Sequence, residues 1–179
     1  MKNKTLFKNL FALQAAALLF CAAPAPAQEK PAAAAPAPAS AVSAAVFNET
    51  ADKALLAMKK RAEELNIKGV AVVAYAEGDS VQSWSSKMLV VGAMKNAPSP
   101  DKKGDNLLGI AYSKAAEMAD TLKDSGSGVR RPMTGEYGWK GGVVAKGKTG
   151  ILIAAFSGGS SEDDARTSRA GLEVLSNGL

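Results

Sequence analysis

The sequence of 179 residues contains no histidine and a single cysteine, Cys21. These absences exclude catalysis by Ser-His-Asp or Cys-His groups, haem ligation by histidine and the usual zinc sites, because each needs imidazole or several thiols. Hydrophobic residues make up 47% of the chain and charged residues 22%, which is ordinary for a globular domain. The composition therefore predicts a small globular protein outside the common nucleophile and metal-dependent enzyme classes.

The first 27 residues have the layout of a secretory signal peptide. Lys2, Lys4 and Lys8 form a basic region, an apolar stretch follows over residues 10–23, and the small residues Ala25-Pro26-Ala27 come next. The apolar stretch is shorter than the ~20 residues that a membrane-spanning helix needs, so it does not fit a membrane anchor. We therefore predict export to the periplasm or the medium, with cleavage near Ala27.

Cleavage at that point would change the charge of the protein. It removes three lysines and no acidic residue, so the formal net charge falls from +5 to +2, and it also removes the one cysteine. Because nucleic-acid binding needs clustered lysine and arginine, a nearly neutral chain with interspersed charges indicates no nucleic-acid partner.

The mature chain divides into a tether and one domain. Residues 28–46 are rich in alanine and proline, a composition that predicts a disordered or polyproline-like spacer. Residues 47–179 remain for a domain, and a chain of that size can bury a hydrophobic core of its own.

Hydrophobic periodicity within the domain predicts an α+β fold. Helical spacing is found in residues 49–65, in residues 106–123 with Asp105 as the helix cap, and after Ser161. Strands are predicted at residues 69–75, 81–86 with 88–91 as an extension or a further strand, 142–145 and 149–156. Since hairpin turns connect these strands, we expect an antiparallel sheet of about five strands with helices packed on it.

The segment of residues 156–161 resembles a phosphate-binding loop, because glycines and hydroxyls there join a strand to a helix. Three acidic residues follow at once and would repel a phosphate at the positive end of that helix. We therefore interpret the serines as helix caps, with Ser160 paired to Asp163 or Ser161 paired to Asp164.

Two other features each have a structural and a functional interpretation. Gly141 and Gly142 precede a strand, where they either form a tight turn or let the backbone approach a ligand closely. Lys114 lies one step from the predicted buried stripe of the second helix. It is either a cation that faces a ligand or a solvated partner of Glu117.

Five stretches, taken in order, resemble the GlcG/HbpS family of small haem-binding or haem-degrading proteins: residues 69–75 with the Gly78 turn, 110–115, 138–142, 150–159, and 162–164 with 170–172. The resemblance covers about residues 49–175. It implies a profilin-like α-β-α fold, assembly into a homo-oligomer and, in many members, export. Some members bind haem and communicate with a membrane sensor kinase, which implies haem as the ligand here and a possible membrane sensor partner.

The resemblance also implies binding residues. Lys114 matches the family's helix motif, and Gly141 and Gly142 match its double-glycine loop. We add Tyr112 as a candidate contact to haem and Arg131, or its neighbour Arg130, as a candidate partner of the haem propionates, because a guanidinium group matches a carboxylate.

The absence of histidine restricts the axial ligand of a haem iron to methionine, tyrosine, lysine, a hydroxyl or water. The domain offers Met58, Met88, Met94, Met118, Met133, Tyr75, Tyr112 and Tyr137. Met58 and Met118 lie on inner helix faces, so we expect them to fill the core.

Together these observations predict an exported haem-binding protein for storage, scavenging or sensing of haem, without histidine ligation. The alternative is a non-catalytic binding or sensory module for another small molecule or a partner protein. Oxidative haem breakdown is the enzymatic option, since haem would itself supply the chemistry.

The predicted export signal can be tested directly. In a bacterial host that recognises the signal, we expect the secreted or periplasmic protein to begin at Gln28 and to carry no thiol, because cleavage removes Cys21. Intact-mass measurement with a thiol-reactive reagent checks both points. A protein that keeps residues 1–27 and stays in the membrane fraction would contradict the prediction.

Overall fold

The computed structural model describes residue 42 and residues 44–179. The predicted signal peptide and nearly all of the predicted tether lie outside the described residues. In chain order the elements are α1 (Ala44–Glu64), β1 (Gly69–Glu77), β2 (Ser85–Val91), β3 (Lys95–Asn96), β4 (Asp105–Asn106), α2 (Leu107–Thr121), β5 (Gly142–Lys146), β6 (Gly150–Ser157) and α3 (Ser161–Gly178).

The main sheet has four antiparallel strands in the order β2-β1-β6-β5. The two central strands are β1 and β6, and every residue of both is buried except Glu77. The continuous apolar sequences of both strands agree with this, because a strand covered on both faces has no polar face. Strands β3 and β4 form a separate two-stranded ribbon, so the sheet has four strands instead of about five.

Helices cover both faces of the sheet. On one face, alternate residues of β1 and β6 such as Val73 and Phe156 pack against α1 and α3, with Met58 at the centre. On the other face, the intervening residues such as Val72 and Ile153 pack against α2. Because successive strand residues point to opposite faces, two continuously apolar strands can supply two cores at once. The predicted α-β-α arrangement is confirmed.

Two predicted element boundaries were wrong. Helix α1 begins at Ala44 instead of residue 49. The predicted strand over residues 81–86 begins at Ser85 and continues to Val91 as a single strand. Its register is set by pairing with the apolar strand β1, from Gly69 opposite Val91 to Tyr75 opposite Ser85, and this pairing leaves residues 81–84 outside.

The segment of residues 96–105, between the predicted strands and the second predicted helix, forms the tip of the ribbon. Ser99 and Lys102 exchange two backbone hydrogen bonds of 2.9 and 3.1 Å, which close the hairpin. Asp105 therefore lies in a strand, and the predicted cap is wrong. The side chain of Asn106 caps α2 instead, by accepting a hydrogen bond of 3.0 Å from the backbone N–H of Gly109.

The contact between α1 and α3 depends on a glycine. A Cβ atom at Gly171 would lie 2.5 Å from Sδ of the fully buried Met58. We expect Gly171→Ala to lower the free energy of unfolding by about 1–2 kcal/mol, because overpacking outweighs the gain in helix propensity. Urea unfolding measures this change.

Gly109→Ala is the matched control in the same unfolding experiment. Gly109 is an exposed helical glycine whose added Cβ would meet Asn106 at an ordinary 3.4 Å. We expect this variant to be as stable as the parent or slightly more stable. Equal effects of the two substitutions would contradict the packing argument.

Candidate functional site

Five segments of the chain meet around a small cavity of about 120 Å³. The first residues of α2 and α3, the end of β6, the β3–β4 ribbon and residues 139–140 line it. Two helix N-termini, each carrying partial positive charge, therefore border the same space. Its wall includes the ammonium group of Lys114, the aromatic ring of Trp139 and the carboxylate of Asp164.

Lys114 and Asp164 form a buried ion pair at this cavity. The Nζ atom of Lys114 donates to Oδ2 of Asp164 at 2.8 Å and to the backbone carbonyl of Phe156 at 2.7 Å. Only 3% and 6% of the two side chains are exposed. The structural interpretation of the sequence, in which Lys114 is a solvated partner of Glu117, is therefore wrong. Glu117 is engaged elsewhere, accepting from the backbone N–H of Gly126 at 2.9 Å.

Asp164 also occupies the place that a bound anion would take. Its Oδ1 atom accepts a hydrogen bond of 2.8 Å from the backbone N–H of Gly159, and the N–H of Gly158 contributes as well. The predicted pair of Ser161 with Asp164 is therefore wrong. The alternative is confirmed, since Ser160 caps α3 by accepting from the N–H of Asp163 at 3.2 Å.

Burial controls the ionisation of the pair. It raises the pKa of Asp164 and lowers the pKa of Lys114, and the attraction between the two groups opposes both shifts. The two backbone amides that face Asp164 also favour its charged form. Lys114 lies within hydrogen-bond distance of a carbonyl and of the Asp164 carboxylate, and that carboxylate is also held by backbone amides. This is the geometry of an ion pair.

The two predicted glycines pack against the protein itself. Gly141 has φ +127°, and a Cβ there would lie 2.6 Å from Nζ of Lys114, so only glycine leaves room for the ion pair. Its carbonyl accepts a hydrogen bond of 2.6 Å from the Ser168 hydroxyl. The backbone N–H of Gly142 donates to the Ser125 hydroxyl at 2.8 Å.

Tyr112 and Arg131 do not line this cavity. The half-buried Tyr112 has its hydroxyl 3.4 Å from that of Ser86 on β2, and Arg131 is exposed. The structure therefore brings Lys114 and Gly141 together, whereas Tyr112 and Arg131 lie elsewhere. No periodicity could have shown this, because the partner of Lys114 lies 50 residues away in sequence.

Arg130, the alternative partner for a propionate, is already bound by acids of the same chain. Its guanidinium donates to both carboxylate oxygens of Glu136, at 2.6 and 2.8 Å, and to Asp120 at 2.8 Å. The hydrogen bond from Arg130, aided by the backbone N–H of Met133, lowers the pKa of Glu136 to about 2. These hydrogen bonds hold residues 130–136 in place, and the guanidinium is occupied by them.

A larger groove lies beside the ribbon. It has a volume of about 840 Å³, is open to solvent, and is lined by residues 93–96 and 103–106. It adjoins the small cavity, with which it shares Asn96 and Asp105. Met94, with 47% of its surface exposed, lies in the groove together with two lysines, Lys95 and Lys103.

Sequence reasoning missed this groove. Its residues belong to a segment that proline, lysine and glycine marked as an irregular loop, and only the hairpin of the ribbon brings residues 93–96 beside residues 103–106. Met94 was one of eight candidate axial ligands, and no feature of the sequence favoured it over the others.

The part of the chain that the structure describes contains no group of three or more acidic, histidine or cysteine residues that could hold a metal ion. Within residues 44–179 no helix combines the length and the apolar character that crossing a membrane requires.

Comparison with known proteins identifies the fold. No protein-family model matches the chain, and no curated protein matches it. Among solved structures, the chain is similar to the PduOC:haem complex, with 17% identity, a TM-score of 0.50, and coverage of 75% of this chain and 95% of that one.

Two further solved structures are more distant. One is protein ORFY of Klebsiella pneumoniae, with 15% identity, a TM-score of 0.44, and coverage of 72% of this chain and 88% of that one. The other is HbpS, with 19% identity, a TM-score of 0.43, and coverage of 80% and 98%. At such identities the similarity to solved structures concerns the fold alone. The predicted α+β fold class is confirmed.

The buried ion pair can be tested by removing one charge at a time. We expect Lys114→Met to lower the free energy of unfolding by about 3–5 kcal/mol, because Asp164 is left charged and buried without its partner. The raised pKa of Asp164 then makes the variant's stability fall as pH rises from acid to neutral, since protonation relieves the buried charge. Urea unfolding over a pH series measures both effects.

The double variant Lys114→Met/Asp164→Asn is the control for charge. It loses the same donor to Phe156 but keeps no buried charge, so we expect it to recover part of the lost stability and to show no such pH dependence. A single variant as stable as the parent at neutral pH would show that the pair is not ionised.

Proposed function

We propose that this protein binds haem without a histidine ligand. The proposal is supported by the fold, which is that of the solved PduOC:haem complex. This shared fold, which covers 95% of that haem-bound chain, is the observation that carries the proposal.

Neither of the two concavities is an enclosed haem pocket. Pockets that hold drug-sized ligands enclose about 300–1,000 Å³ and have mostly apolar walls. The cavity at Lys114, with about 120 Å³, is too small, and Lys114 is already paired with Asp164. The groove, with about 840 Å³, is larger, and its lysines suit a ligand with carboxylates, but only Ala93 and Met94 of its eight lining residues have apolar side chains. Its residues therefore do not fit the haem ring.

The predicted residues Lys114, Gly141 and Gly142 make contacts within the protein. Those of Lys114 hold the middle of α2 against β6 and α3, and Gly141 leaves room for them. Bound haem would supply the iron, and with it any redox or sensing chemistry. The chain would contribute binding, orientation and charge neutralisation.

We further propose that the protein acts outside the cytoplasm as a homo-oligomer, in haem storage, scavenging or sensing, with a membrane sensor as a possible partner. The signal-peptide layout of residues 1–27 supports export. The homo-oligomer and the membrane sensor are suggested by the family resemblance described above.

Haem titration tests the proposed function. The full chain is produced in an exporting host, and the purified protein is titrated with haemin. We expect a shift of the Soret band that saturates at one haem per chain, with affinity in the micromolar range or better.

A parallel incubation with reductant and oxygen separates binding from breakdown. Bound haem that survives as long as free haem supports a binding role, and faster loss supports oxidative breakdown. Folded protein, verified by circular dichroism, that produces no Soret shift would overturn haem binding and would favour another ligand or a partner protein.

A further inference from the structure

We propose that the small cavity between the starts of α2 and α3 binds a free small hydroxycarboxylate, with the carboxylate at Lys140 and the hydroxyl at Ser157. This site is separate from haem binding and does not rest on it. The cavity has a volume of about 120 Å³. Since a protein cavity of ~150 Å³ accommodates benzene, this one accommodates a molecule of roughly four to six non-hydrogen atoms.

The hydroxyl of Ser157 is the first feature that points to a ligand. The residue is only 4% exposed, yet its hydroxyl forms no hydrogen bond to any residue that the structure describes. Ser157 ends β6 on the same face as Ile153 and Ala155, so its side chain points to the α2 side of the sheet, where it lines the cavity. A buried hydroxyl without a partner is costly. A ligand oxygen in the cavity would supply that partner.

Lys140 is the second feature, because it is a cation at the cavity without an acidic partner. It is exposed, and within residues 44–179 it forms no ion pair. The other cation of the wall, Lys114, is bound to Asp164. The other acid of the wall, Asp105, accepts a hydrogen bond of 3.1 Å from the amide of Asn96. Lys140 is therefore available to pair with the carboxylate of a ligand.

The start of α2 adds positive charge to the same space. Leu107 and Ile110, in the first turn of α2, line the cavity. The first turn of α2 has no acidic residue, whereas that of α3 has three. The side-chain charges of the wall balance, since two lysines face two aspartates, and the partial positive charge of α2 then favours an anion. A single carboxylate suits this modest excess of positive charge.

Trp139 makes occupancy of the cavity measurable. It lines the cavity with 47% of its surface exposed and packs against Tyr137, with the ring centroids 4.9 Å apart. The chain has one other tryptophan, Trp84, which is not in the cavity lining. In a Trp84→Phe background, the fluorescence of Trp139 therefore reports on a ligand in the cavity.

The first experiment titrates the purified protein, produced from the full chain in an exporting host, with lactate and four matched compounds. Propionate lacks the hydroxyl, lactamide lacks the charge, alanine has an ammonium group in place of the hydroxyl, and 2-hydroxyhexanoate exceeds the volume. We expect lactate to bind with a dissociation constant of about 1 mM or lower, and each of the others to bind at least about fivefold more weakly. Fluorescence measures the affinities, and amide shifts in NMR spectra should map to residues 107–110 and 157–161.

The second experiment assigns the two residues. We expect Ser157→Ala to weaken lactate binding by about fivefold and to leave propionate binding unchanged, because only lactate has a hydroxyl to bond. We expect Lys140→Gln to weaken lactate and propionate alike by about fivefold and to leave lactamide unaffected, because the variant removes an attraction to charge.

Two matched variants are the controls for these substitutions. Thr167→Val removes a fully buried hydroxyl on α3 that also has no partner in the described structure but lies outside the cavity lining. Lys148→Gln removes an exposed lysine outside the cavity. Neither should change lactate binding, and circular dichroism of every variant verifies that the fold is kept.

Each part of the proposal can fail separately. Folded protein that shows no fluorescence or amide change with lactate up to about 20 mM overturns the site, whatever the haem titration gives. Lactamide binding as tightly as lactate overturns the assignment of an anion. Alanine binding more tightly than lactate overturns the hydroxycarboxylate, since Asp105 would then recognise an ammonium group. Equal loss of lactate and propionate in Ser157→Ala overturns the role of its hydroxyl.

Discussion

The buried ion pair of Lys114 and Asp164 is the constraint on which the rest of the site depends. Two charges removed from water are costly, and their attraction offsets that cost only with further hydrogen bonds. The carbonyl of Phe156 and the amide of Gly159 supply them. The pair joins α2 to α3 across the end of β6, and Gly141 must lack a side chain to admit it.

This pair also decides where a ligand can bind. The start of α3 has the glycines and amides of an anion-binding loop, but an internal carboxylate fills that role. The cation that the sequence suggested for ligand contact is neutralised inside the protein. On the adjoining ribbon, Lys95 and Lys103 form no ion pair within the described chain, and neither does Lys140 at the cavity.

The sequence by itself determined the layers of the fold. The apolar strands β1 and β6, the periodic helices and the cap at Ser160 follow from local spacing, because burial on one or two faces leaves a mark in consecutive residues. The site was decided by the tertiary structure. Lys114 finds Asp164 across 50 residues, and residues 93–96 meet residues 103–106 through a ribbon with no apolar pattern. Electrostatic pairing and hairpin closure at a polar surface leave no periodic signal, so folding alone brings these groups together.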